Sequence, residues 1–150
     1  MVRLISASLF LLGFTFSPGD GSQENTEKCT LSVEFTNIRN KNGKLYLFMY
    51  NYENQYPDNP YRYYEIDKKN ISCNRLLVNV PNLEKGKYAI SILDDENENE
   101  DMDFFLGIPT EGYAFSNNAK PFFSLPDFNE ILFNLTDNHQ QVKLKMRYVL

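Results

Sequence analysis

Histidine is nearly absent from this chain: His139 is the single one among 150 residues, and it sits in a polar turn. A cysteine or serine nucleophile paired with an imidazole base therefore has no support. Basic clusters are missing too, since no run of Lys or Arg exceeds two, and the net charge is −5. Nucleic acid is not expected as a partner, because phosphate binding needs a basic face. An anionic membrane surface is disfavoured for the same reason. Past residue 16 no apolar run approaches the roughly 20 residues that span a bilayer, so no membrane insertion is expected after removal of a signal. No segment holds a sustained helical period, and no internal repeat is visible.

Cysteine is scarce, with only Cys29 and Cys73. The N-terminus is built as a secretory signal: Arg3 supplies a positive start, residues 4–16 are largely apolar, and residues 17–22 bring small residues and a breaker. We expect residues 1–21 to be a cleaved signal, 22–30 a polar leader, and 31–150 one domain, secreted or in the cell envelope. In an oxidising compartment a Cys29–Cys73 disulfide is the default, worth roughly 4 kcal/mol through the unfolded state. Two unrelated buried thiols are the alternative.

The strand pattern is plentiful. Leu31, Val33 and Phe35 alternate with polar residues, residues 45–50 are apolar on both faces, and Leu76, Val78 and Val80 form a strand ended by Pro81. Residues 87–93 alternate, Ile131, Phe133 and Leu135 follow, and Val142, Leu144, Met146 and Tyr148 alternate with Lys143, Lys145 and Arg147. The sum is an all-β fold, a single antiparallel β-sandwich of six or seven strands. Tyrosines 52, 56, 61, 63 and 64 crowd a stretch with Pro57 and Pro60. They are expected to cap the open end of the core, with ring stacking on a sugar as the functional alternative.

The chemistry concentrates between Asp94 and Asp103, where seven of ten side chains are carboxylates. Asp95, Asn97, Asn99 and Asp103 fall at the first, third, fifth and ninth positions, the order in which D-x-[DN]-x-[DN] loops supply oxygen ligands to calcium. These four are the candidate metal ligands, with Met102 at the eighth position expected to turn into the core. The loop departs from the helix-flanked form. Glu100 stands where glycine is usual, Leu106 where a bidentate Glu is usual, and a strand leads in. Asp94, Asp101 or Glu111 could supply the missing carboxylate. Calcium on this reduced set is expected to bind in the weak range, on the order of 0.1 to 1 mM. A solvated acidic turn is the alternative.

Residues 86–90 (Gly-Lys-Tyr-Ala-Ile), 95–99 (Asp-Glu-Asn-Glu-Asn), Met102-Asp103 and the stretch from Gly107-Ile108-Pro109 through Asn117-Asn118-Ala119 together resemble an exported bacterial family catalogued as domain of unknown function 2141. The likeness covers about residues 31–148. It implies an exported all-β module and leaves the activity unassigned. The family tends to place Gly where this chain has Glu98 and Glu100, and often His where it has Asp94, a change that adds a candidate oxygen ligand. The expected function is a non-enzymatic exported binding module for a glycan or protein. The alternatives are a carboxylate-dependent hydrolase, with Asp95 and Glu111 as base and acid, and a structural cell-envelope protein. No catalytic residue is assigned.

Overall fold

A computed structural model describes residues 28–121 and 124–150 of the chain. The expected signal peptide and most of the expected leader lie outside the described residues. The described part is all-β, with ten strands: β1 (Cys29–Thr36), β2 (Lys44–Tyr50), β3 (Arg62–Asp67), β4 (Arg75–Leu83), β5 (Gly86–Asp95), β6 (Phe104–Phe105), β7 (Ile108–Pro109), β8 (Gly112–Phe115), β9 (Leu132–Leu135) and β10 (His139–Lys145). One short α-helix, α1 (Phe128–Ile131), precedes β9.

A three-stranded sheet has the order β10-β1-β4, and a five-stranded sheet has the order β3-β2-β5-β8, with β9 pairing the start of β5. A separate hairpin joins β6 to β7. Alternation decides which side chains face inward. Leu31, Val33 and Phe35 of β1 share one buried cluster with Leu45, Leu47 and Met49 of β2, Ile90 and Ile92 of β5, and Leu144 of β10. Both larger sheets therefore bury a face in the same core. The opposite face of the five-stranded sheet is apolar as well, and Tyr50, Ala89, Phe115, Phe128 and Ile131 form a second cluster there. That double covering matches the unbroken apolar run of β2.

Several expectations need correction. The strands number ten rather than six or seven, because β3 emerges from the tyrosine-rich stretch and β6, β7 and β8 from the passage after the acidic loop. In β3, Ile66 faces in and Tyr64 packs on the core, while Tyr63 and Glu65 face solvent, an alternation masked by the surrounding tyrosines. The sheets are not wholly antiparallel, since β1 pairs with β10 in parallel over residues 30–36. The first and last strands meet side by side, a long-range closure that no local pattern announces. Pro81 does not end β4. The strand is an edge, where a missing N–H costs no ladder bond, and the register shifts between Cys29 and Leu31 as Asn82 takes a φ of 61°.

The Cys29–Cys73 bridge is not formed. Cys29 pairs with Leu83 at one end of the β1–β4 ladder, and Cys73 lies two residues beyond Arg75, which pairs with Thr36 at the other end. Seven residue steps along a strand amount to roughly 23 Å, against a Cα separation of about 5.5 Å in a disulfide. Cys29 is buried and Cys73 is exposed. Cys73 instead holds a positive φ in the tight turn that links Ser72 to Arg75.

Reducing agent should leave the thermal midpoint unchanged, and Cys73→Ser should stay within about 0.5 kcal/mol of wild type by urea unfolding. A reductant-dependent drop in the midpoint that Cys73→Ser reproduces would restore the bridge.

Candidate functional site

β5 runs from the core into the acidic loop, and its last two residues, Asp94 and Asp95, are both fully buried. Their side chains leave on opposite faces, so each carboxylate is compensated by a different set of donors. Asp94 points toward the main core. It accepts a hydrogen bond from the Lys68 ammonium, itself fully buried, and one of 2.6 Å from the Tyr148 hydroxyl. Lys68 also donates to the Asn40 amide oxygen at 3.3 Å. Burial pushes the Asp94 carboxyl up, opposed by the bonds from Lys68 and Tyr148. Burial and the bond to Asp94 likewise push the Tyr148 phenol up. After β10 the chain crosses to β8, with reciprocal backbone bonds between Tyr113 and Arg147, and so delivers Tyr148 to this corner. Gly112 makes room for the ring: a Cβ there would stand 2.3 Å from it.

Arg39 closes the same corner from outside. Its guanidinium lies 4.6 Å from the centre of the Tyr148 ring, grips both oxygens of Glu96 at 2.7 and 3.1 Å, and donates to the Thr110 carbonyl at 2.8 Å. Burial works against ionisation of Glu96, yet the Arg39 fork prevails and holds its carboxyl below the usual value. The bond to Glu96 in turn raises Arg39.

Asp95 points into the loop. Its two oxygens accept the backbone N–H groups of Asn99 at 3.2 Å and Glu100 at 2.8 Å. The Asn97 and Asn99 side-chain oxygens accept the N–H groups of Asn99 and Asp101, and both amide nitrogens donate to the Asp103 carboxylate. All four predicted ligand residues are thus drawn together around one loop. Glu98 and Glu100 take φ values of 62° and 64°, the left-handed conformation for which glycine is suited. Gly43 allows the loop base to close, for a Cβ there would lie 1.9 Å from the Asp95 carbonyl oxygen.

Of the residues considered as a further ligand, Glu111 is the one at the loop base. It is buried, and its oxygens accept the N–H groups of Glu96 at 2.9 Å and Asp103 at 3.4 Å. Burial, with the charges of Asp95 and Asp103 nearby, pushes its carboxyl up. Asp94 is taken by Lys68 and Tyr148, and Leu106 is exposed at the β6–β7 turn. Among the described residues no three His, Cys, Asp or Glu side chains form a metal cage by themselves, so an ion here would need the amide oxygens of Asn97 and Asn99. All four oxygens of Asp95 and Glu111 hold backbone N–H groups, an arrangement suited to shaping a loop rather than to moving substrate protons.

Beside the loop, part of the five-stranded sheet's outer face forms a groove of about 920 Å³ among the described residues. Phe48, Leu93, Tyr113 and Phe115 lie along it, and Met102 lines it rather than turning into the main core. The tyrosine stretch contributes only in part: Tyr56 packs edge-on against Tyr50, whereas Tyr52 and Tyr63 are exposed. Burial raises the Tyr56 phenol to about 12, and its hydroxyl has no partner among the described residues. Nothing in the sequence marks Lys68, Arg39 or Tyr148, the last of these expected in a strand, as members of this corner. Lys68 sits in a polar run, Asp67-Lys68-Lys69-Asn70, that carries no burial signal.

A model of a bacterial family of uncharacterized proteins matches residues 33–143. No curated protein matches the chain. No solved structure matches it.

Lys68→Met leaves the Asp94 carboxylate buried without its cation and should cost about 3–5 kcal/mol in urea unfolding. A loss under 1 kcal/mol would show the pair to be dispensable. For Glu111 the folded carboxyl titrates above its ordinary value of 4.5, so its contribution is fully present below that value and lost as pH rises through the folded one. Calcium-free stability should therefore fall as pH rises from about 4.5 toward neutrality. In Glu111→Gln that fall should shrink to the part due to Asp94, and an unchanged slope would contradict the assignment.

Proposed function

The chain belongs to the DUF2141 family of uncharacterized proteins conserved in bacteria, and from its acidic corner we propose an exported β-sandwich binding module whose loop 95–103 is organised by calcium. In this reading the two sheets that share the main core are the halves of the sandwich. Asp95, Asn97, Asn99 and Asp103 hold the ion, and Glu111 supports them from behind. The observation that carries the reading is the convergence of these four residues around a backbone that holds Glu98 and Glu100 in the left-handed region. Two carboxylates and two amides make a weak site, consistent with extracellular concentrations of the ion. The ion would neutralise charge that Asp95, Asp103 and Glu111 now confine to one place. It would also fix the course of the chain toward β6 and β7. The partner is a glycan or a protein outside the cytoplasm.

Calorimetric titration with calcium chloride should give saturable binding with Kd on the order of 0.1 to 1 mM, lost in Asp103→Ala and in Asn97→Ala. At tenfold excess over Kd the ion should stabilise the protein by about 1.4 kcal/mol. Absence of binding up to about 10 mM, well beyond that range, would overturn the calcium reading.

A further inference from the structure

The groove on the outer face of the five-stranded sheet has one feature that a structural face does not need. All the charged residues among the described residues that line it are acidic: Asp58, Glu100 and Asp101. None of the three takes part in an ion pair among the described residues. Some acids on other surfaces are matched, Glu34 by Arg75 and Lys143 and Glu65 by Lys44, whereas the groove, among the described residues, holds three acids and no Lys or Arg. Between the acidic positions the walls are aromatic and aliphatic. The β6–β7 hairpin adds Phe104, 61% exposed, and Ile108 to one side. Leu106 at its tip is 87% exposed. Apolar side chains gathered in a groove and rimmed by polar groups are the setting in which interaction sites occur.

We infer that this groove binds a cationic amphipathic peptide segment, whose apolar side chains fill the floor and whose Lys or Arg side chains meet Asp58, Glu100 and Asp101. Charge complementarity selects this occupant. A second copy of the chain would bring the same net charge of −5 to a rim that is already negative. An anionic lipid surface would be repelled in the same way. A neutral glycan would use the aromatic faces and leave the unpaired acids without a counter-charge. The exposed ring of Phe104 and the half-buried ring of Tyr113 further favour a cation through their negative faces. Recognition occurs on a sheet face rather than an edge, so it works through side chains and not by strand addition. The inference rests on the reading of the protein as a binding module. It does not need the calcium ion, because the proposed ion ligands are Asp95, Asn97, Asn99 and Asp103, whereas Glu100 and Asp101 are the loop residues at the groove.

The chain contains no tryptophan, so a single Trp in a short synthetic Leu/Lys peptide reports binding by its own fluorescence. Titration into the protein should give a saturable blue shift, in calcium and in chelator alike. The double variant Asp58→Asn/Asp101→Asn should weaken binding roughly tenfold, and Phe104→Ser roughly fivefold. Phe104 is exposed, so its loss should not unfold the protein. The control Asp137→Asn/Glu34→Gln removes the same charge away from the groove and should change affinity less than twofold. Equal binding of a Leu/Glu peptide, equal binding of a Ser/Lys peptide, or equal weakening by the control would each overturn the inference. So would sedimentation showing that Phe104 mediates self-association, or pelleting with zwitterionic vesicles in place of peptide binding. Peptide binding without calcium binding would remove only the calcium reading, and calcium binding without peptide binding would remove only this inference.

Discussion

The compensation of buried carboxylates at the end of β5 is the constraint on which the rest depends. A carboxylate removed from water without a partner costs several kcal/mol, and here Asp94, Asp95 and Glu111 are all buried. Their fixed donors come from three parts of the chain. Lys68 comes from the turn after β3, Tyr148 from the C-terminal crossing, and backbone N–H groups from the loop itself. Arg39, from the segment between β1 and β2, then ties Glu96 and Thr110 to the same corner. Four separated stretches of sequence are pinned by one set of charges, and the loop's shape follows from them.

The sheet explains the second functional element. Because β2 and β5 carry apolar side chains on both faces, one face makes the main core and the other must be covered. Tyr56 and α1 cover one end, where Phe128 and Ile131 pack beside Tyr50 and Phe115. Among the described residues the remainder forms the groove beside the acidic loop and the β6–β7 hairpin. Loop and groove are therefore neighbours by topology: β5 supplies Leu93 to the groove floor and Asp95 to the loop two residues later.

Much of this was legible in the sequence. The alternation of β1 and the two-faced run of β2 follow from the period of a strand, and each appears where its pattern lies; β10 starts earlier than its pattern, at His139 rather than after a polar turn, and stops at Lys145, short of Met146 and Tyr148. The spacing of Asp95, Asn97, Asn99 and Asp103 pointed to one loop, and hydrogen bonds join these side chains there. What failed was whatever depends on distant pairing. The parallel β1–β10 ladder joins the two ends of the domain, and the burial of Lys68 depends on an aspartate 26 residues away. The disulfide was inferred from compartment and count, which say nothing about the span of β1. Glu98 and Glu100 also defied local preference, since the left-handed region costs a non-glycine residue roughly 1–2 kcal/mol. Here the Asp95 and Asn97 side chains hold the loop in that shape.

Fixed donors compensate these carboxylates, and in the proposed function a cation completes the set. Crystals of the protein grown with and without calcium test it most directly. The account predicts a calcium-dependent density peak with oxygens of Asp95, Asn97, Asn99 and Asp103 at about 2.3–2.6 Å, both amides turned oxygen-inward, and the Asp94–Lys68–Tyr148 corner unmoved. No peak, with the Asn97 and Asn99 nitrogens still on Asp103 at high calcium, would contradict it.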